Sequence, residues 1–232
     1  DVFRIFDALN DLRNIETAMR IAKREGGHVQ ACLCYTLSPV HSIEGFVKMA
    51  QEMVSMGADS ICIKDMAGLI SPYDAYDMVT RLKQAVPVPI QLHMHYTSGM
   101  ASAAALKATE AGLDVLDTAI SALALGTSQP PTESIVAMLK GQPRDTGLDL
   151  ELLSDVARHM TEVRKKYAAF ETGLFGVDTN VLQFQIPGGM ISNLISQLRD
   201  QNALDKLPEV LAEVPRVRAE LGYPPLVTPS SQ

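Results

Sequence analysis

The stretch "PIQLHMHYTSG", residues 89–99, places His93 and His95 two apart in an apolar run just before a turn. Alternate residues of a strand face the same way, so both imidazoles would share one face at a strand's C-terminal end. Such a pair can hold one metal ion, histidine being the commonest metal ligand. The rival is two imidazoles satisfied by carboxylates or backbone carbonyls. In "ICIKDMAG", Lys64 follows Cys62 by two and precedes another turn. An ammonium repels a cation, but a lysine carbamylated by CO₂ becomes a carboxylate and binds hard or borderline cations. The alternative pairs Lys64 with Asp65 or another carboxylate. In "ALALGTSQPPTES", residues 122–134, Gly126 allows a turn, Thr127 and Ser128 offer hydroxyls, Gln129 offers an amide, and two prolines stiffen the loop. A helix-capping loop accounts for Pro131 to Glu133 and leaves Thr127 to Gln129 unexplained.

These residues need elements to position them. Short apolar runs alternate with helical patterns. Strands are predicted over 2–7, 29–36, 60–65, 89–95 and 114–121, with helices over 12–25, 43–56, 73–85, "SAAALKATEAG" (102–112) and 132–140. Gly26-Gly27 and Gly57 read as helix stops, Ser42 as a cap, and Ser71-Pro72 as a start. Strand-then-helix units about 30 residues apart predict a parallel sheet, either doubly wound or a (β/α)₈ barrel. No GxGxxG follows the first strand, which disfavours dinucleotide binding. Polar residues instead end each strand: Asp7 and Asn10; Cys34, Tyr35 and Thr36; Lys64 and Asp65; His93 and His95; Asp117 and Thr118. That rim carries the active site in a barrel.

Composition excludes other classes. The chain has 232 residues, 47% hydrophobic and 20% charged, with a net charge of -7. No basic stripe is available for nucleic acid; Arg164-Lys165-Lys166 reads as a solvated helix face. Cys32, Cys34 and Cys62 sit in apolar strand runs and read as reduced thiols, hence a reducing, cytoplasmic compartment. "CLC" lacks a second pair for zinc. No run of about 18 apolar residues predicts a membrane span, and no signal peptide is visible. Residues 1–145 are read as the strand–helix part and 146–232 as a helical C-terminal extension, with a long amphipathic helix first and a break at Pro187-Gly188-Gly189.

Six motifs in order, "DVFRIFDALND", "CYTLSPVH", "IKDMAGL", "HMHYTSG", "DTAISALALGTSQPPTES" and "QIPGGMISNL", resemble the carboxyltransferase domain of biotin-dependent enzymes acting on pyruvate or oxaloacetate. That family includes pyruvate carboxylase and its separate carboxyltransferase subunit, oxaloacetate decarboxylase alpha subunit and transcarboxylase. The resemblance runs from residue 1 to about 232. It implies a (β/α)₈ TIM barrel followed by a helical funnel, with the strands seen here being the fourth to eighth. It implies a divalent metal ion (Zn, Mn or Co) on His93, His95 and a carbamylated Lys64. The family's aspartate ligand and substrate arginine belong to an early "RDAHQS"-like motif that this sequence lacks. Starting at Asp1 inside a strand pattern, the chain is expected to be a piece of a longer protein, preceded by about a hundred residues.

The resemblance further implies that Thr127 shuttles a proton between pyruvate and biotin, a hydroxyl being both donor and acceptor. It places Cys34 and Asp7 near the substrate, and biotin on a separate carrier domain. The partners implied are that carrier, biotin carboxylase or membrane decarboxylase subunits, and a second copy in a homodimer. "GTSQP" leans towards pyruvate carboxylase-like members. The alternatives are the decarboxylase direction, a condensing enzyme of the homocitrate synthase type, and a non-catalytic assembly subunit. KDM and the TSQP loop fit the condensing enzyme poorly, and the intact Lys64, His93, His95 and Thr127 argue against the assembly subunit.

Overall fold

The computed structural model describes residues 1–171 and 176–227. Five strands form one wholly parallel sheet in sequential order: β1 (Val2–Ile5), β2 (His28–Cys34), β3 (Ser60–Asp65), β4 (Ile90–Met94) and β5 (Val115–Leu116). Between them run α1 (Leu12–Arg24), α2 (Ile43–Ser55), α3 (Pro72–Ala85) and α4 (Ala101–Glu110); α5 (Thr132–Leu139) follows β5. The predicted starts hold for physical reasons. The side chain of Asp11 accepts from the Arg13 N–H, Ser42 from Gly45 and Ser71 from Asp74, each meeting a donor that the first helical turn leaves unpaired.

Period two sorts the strand residues onto two faces. Val29, Ala31, Leu33, Ile61, Ile63, Ile90 and Leu92 face the helices and join Met19, Phe46, Met53, Met78 and Leu82 in the main core. The other face carries Arg4, Gln30, Cys34, Lys64, Gln91 and His93, in register across the ladders. The helices therefore cover one face and leave the chemistry on the other. Buried Ala101, Ala104, Ala105 and Ala108 let α4 pack closely.

The fifth strand is shorter than predicted. After Leu116 the backbone leaves β4. The Asp117 N–H still donates to the Leu92 carbonyl, but Ala119 pairs with the Pro130–Thr132 segment instead. The residues read as the end of a strand are thus committed to folding the GTSQP loop back.

Among the described residues after α5, the C-terminal extension holds α6 (Leu150–Lys165), α7 (Val181–Phe184), α8 (Gly188–Asp200) and α9 (Leu207–Glu220). Pro187-Gly188 starts α8 after Gln185 turns in the left-handed region at φ 58°. Part of the basic cluster is not merely solvated. Arg164 donates to the Ala122 carbonyl at 2.6 Å and pairs with Glu171 at 2.5 Å, tying α6 to the segment after β5.

The extension grips the sheet at the C-terminal ends of its strands. Buried Arg218 of α9 donates to the Thr36 hydroxyl at 2.7 Å and the Leu37 carbonyl at 3.1 Å. The Asp178 N–H donates to the Thr97 carbonyl at 2.8 Å. No helix among the described residues is long and apolar enough to cross a membrane. Cys32, Cys34 and Cys62 are free and buried, as expected of reduced thiols.

Candidate active site

Strand pairing brings the predicted ligands together. Lys64 on β3 lies in register with His93 on β4, and Cys34 on β2 with Lys64. His95 follows β4, its N–H donating to the Asp65 carbonyl at 3.0 Å. The Nε2 atoms of His93 and His95 are 3.3 Å apart. His93 Nδ1 lies 2.8 Å from Asp117 Oδ2, and His95 Nδ1 lies 2.5 Å from the Thr127 carbonyl oxygen.

Tautomers follow from those partners. A carbonyl only accepts, so His95 Nδ1 carries a hydrogen. Asp117 is an acceptor too. Burial opposes its charge, but hydrogen bonds from His93 and Arg4 hold its carboxyl at about 2. Both imidazoles therefore donate through Nδ1, and their Nε2 atoms face each other. Two lone pairs at 3.3 Å repel, so a proton or a metal ion belongs between them. Burial chiefly pushes His95 down to about 4, against the pull of the Thr127 carbonyl, so its imidazole is neutral at pH 7. Two nitrogens bound to one ion at about 2.0–2.1 Å in tetrahedral geometry lie about 3.3 Å apart. The observed spacing fits.

Among the described residues, no group of three or more His, Cys, Asp or Glu could hold a metal. Lys64 is the nearby group outside that set. It is buried, and burial lowers its pKa, favouring the neutral amine. It pairs with no carboxylate among the described residues. Its Nζ sits 4.2 Å above the Phe6 ring and 2.7 Å from Met66 Sδ. The Lys64–Asp65 pair offered as the alternative is not formed. Asp65 is fully buried, accepts from the Ile70 N–H at 2.8 Å, and is pushed up to about 6 by burial.

The remaining predicted residues have structural partners. Both oxygens of Asp7 serve its own loop, Oδ2 accepting from the Leu9 and Asp11 N–H groups and Oδ1 from Asn14. Cys34 is fully buried, donates to the Asp7 carbonyl at 3.3 Å, and is pushed up to about 12 by burial. Asn10, at φ 59°, pins this loop to β2 through two 2.9 Å bonds to the Cys34 backbone.

Thr127 is half-buried beside the imidazoles. Its hydroxyl has no hydrogen-bond partner among the described residues, and its methyl packs so closely on Gly188 that an added Cβ there would lie 2.3 Å away. Sequence reasoning missed Arg4, Gln30 and Gln91. Their signal is period-two placement of long polar side chains on the same face as Lys64 and His93.

An "HMGL-like" family model matches residues 7–160. The chain belongs to the HMGL-like family. A second model, "Conserved carboxylase domain", matches residues 181–232. The chain is 58% identical over 233 residues to a pyruvate carboxylase subunit of Methanocaldococcus jannaschii, covering 100% of this chain and 41% of that one. It is 51% identical over 234 residues to the methylmalonyl-CoA carboxyltransferase 5S subunit of Propionibacterium freudenreichii, covering 100% and 46%. The carboxyl transferase domain of Rhizobium etli pyruvate carboxylase superposes with a TM-score of 0.96 at 37% identity, covering 100% of this chain and 40% of that one. The chain thus spans less than half the length of these relatives. The relationship expected from the six motifs, to carboxyltransferases of biotin-dependent enzymes, is borne out.

Proposed function

We propose that this HMGL-like chain forms the metal-bearing part of a carboxyltransferase that moves a carboxyl group between biotin on a carrier domain and pyruvate or oxaloacetate. The observation that carries this reading is the His93–His95 pair, with both Nδ1 atoms occupied, both Nε2 atoms convergent, and Lys64 beside them in register. The relatives' names supply the substrate class. The parallel sheet is read as five consecutive strands of a (β/α)₈ barrel, with the extension as its funnel. We assign Zn, Mn or Co as the ion, a homodimer as the assembly, the cytoplasm as the location, and biotin carboxylase as a partner.

His93, His95 and carbamylated Lys64 would hold the ion. Carbamylation needs the free amine: the Lys64 nitrogen bonds to the carbon of CO₂ and one N–H proton leaves to solvent, giving an anionic ligand. A divalent ion supplies a Lewis acid that holds and polarises the keto acid. The Thr127 hydroxyl would accept the methyl proton of pyruvate while passing its own proton to biotin, so one path serves both directions. Cys34 and Asp7 would line the substrate side by shaping the loop between β1 and α1.

Two outcomes test this. In the natural protein with its biotinylated carrier, carboxyl exchange between oxaloacetate and pyruvate is expected, lost on chelation and restored by a divalent ion. Exchange that survives complete removal of metal contradicts the reading. Thr127→Ala is expected to slow both directions by about 100-fold or more with metal content unchanged, because the His95 hydrogen bond uses the Thr127 main-chain carbonyl. Steady-state rates in both directions decide. A variant within about threefold of wild type would leave Thr127 only its backbone role, locking the His95 tautomer.

A further inference from the structure

Beneath the paired imidazoles lies a closed ring of side chains from four segments of the sheet. Arg4 of β1 donates through Nε to Gln30 Oε1 on β2 at 2.6 Å. Gln30 Nε2 donates to Gln91 Oε1 on β4 at 2.7 Å. Gln91 Nε2 donates in turn to Asp117 Oδ1, after β5. Arg4 closes the ring, its Nη1 reaching Asp117 Oδ2 at 2.7 Å. His93 Nδ1 joins at that same oxygen, 2.8 Å away.

The ring has one donor sense. A guanidinium can only donate and a carboxylate can only accept. Both glutamine amides between them are therefore oriented, each oxygen towards Arg4 and each nitrogen towards Asp117. Asp117 then has Oδ1 filled by Gln91 and Oδ2 filled by Arg4 and His93. It can neither rotate nor swap oxygens without breaking several bonds. None of the four ring residues is a predicted ligand, and neither strand packing nor capping explains two buried glutamines facing an arginine.

We infer that Arg4, Gln30, Gln91 and Asp117 act as one positioning unit that fixes the Nδ1–H tautomer and ring orientation of His93, so that its Nε2 is held ready for a divalent cation. The inference rests on the proposed metal site. His95 is served separately by the Thr127 carbonyl, so the ring should act on one imidazole and not the other. Partners of this kind typically change metal affinity by about 10–100-fold when removed.

The test uses the full natural protein, stripped of metal and labelled with ¹⁵N-histidine, with Zn²⁺ alone as the probe. In wild type, ¹⁵N shifts are expected to show His93 as the Nδ1–H tautomer. Zn²⁺ affinity, measured by chelator competition, is expected to fall about 10–100-fold in Asp117→Asn and about 10-fold in Arg4→Met. The His93 tautomer should become mixed in both variants while His95 keeps its own. Arg4→Lys keeps the charge without the two-point hold and should fall between Arg4→Met and wild type.

Wild-type affinity in Asp117→Asn and Arg4→Met overturns the inference. So does an Nε2–H tautomer of His93 in the wild type, a reading that needs no variant to fold. A wild-type protein that shows the Nδ1–H tautomer but takes up no Zn²⁺ would instead overturn the metal site on which the inference rests.

Discussion

On the proposed function, Lys64→Ala is expected to lose the metal held with His93 and His95 and to lower carboxyl transfer by about 1,000-fold or more, several kcal/mol of Lewis-acid stabilisation being at stake. The reasoning starts from what surrounds the amine. Lys64 is buried, lies in register with His93, and faces an aromatic ring and a thioether with no carboxylate partner among the described residues. A permanent ammonium so placed would keep a cation off the two imidazoles. Burial lowers the Lys64 pKa, so raising pH through that lowered value frees the amine for CO₂. Metal uptake by the stripped protein should therefore need CO₂ and, at a fixed CO₂ concentration, should speed up as pH rises through that value. Lys64→Glu restores a carboxylate near the same place and is expected to recover part of the metal. Lys64→Met keeps the packing and is expected to recover none. Elemental analysis of the four proteins, alongside exchange rates, checks this. Wild-type metal content in Lys64→Ala would remove the lysine from the site.

Gly68→Ala is expected to destabilise the fold by about 3 kcal/mol or more and to disturb His95 with it. Gly68 has φ +72°, and an added Cβ would lie 2.5 Å from the His95 carbonyl oxygen. The left-handed conformation alone costs an alanine about 1 kcal/mol or more. The clash is worse because its partner is backbone and cannot swing aside. The His95 N–H is held by Asp65, and the Gly68 carbonyl is held by Ser98. Relief must therefore move the turn after β3 against the turn after β4. Those two turns carry Lys64 and His95 at their bases. A displacement of about 1 Å at such a site can cost about 100-fold in rate. Chemical denaturation and exchange kinetics report the two effects separately. A Gly68→Ala protein with wild-type stability and rate would show that the two turns are not packed as described.

Much of this is legible in the sequence itself. Short apolar runs, the Ser42 and Ser71 starts and the Gly stops mark β1 to β4 and the helices between them, because each signal is local, whereas β5 ends at Leu116, well short of its apolar run. Strand periodicity alone puts His93 with His95 and Cys62 with Lys64 on common faces. It could not show that the two His Nδ1 atoms have different partners. Asp117 reads as one more strand-end polar residue until β5 ends early and turns it towards His93. The ring from Arg4 to Asp117 spans 113 residues of sequence, a closure that only the strand order provides. Arg218 carries still less local signal. It lies on an ordinary amphipathic helix, and its partners Thr36 and Leu37 lie about 180 residues earlier. The Lys64–Asp65 pairing failed for a simple reason: successive strand residues point to opposite faces, so Asp65 is spent on the turn that leads to Ile70.

The central claim is that His93 and His95 jointly hold one divalent ion. It is tested most directly by metal stoichiometry of the natural protein beside His93→Ala, His95→Ala and the double variant, each loaded with Zn²⁺ and dialysed against a weak chelator. The account predicts one retained ion per wild-type chain, sharply less in either single variant, and none in the double variant. One ion per chain retained by the double variant would contradict it.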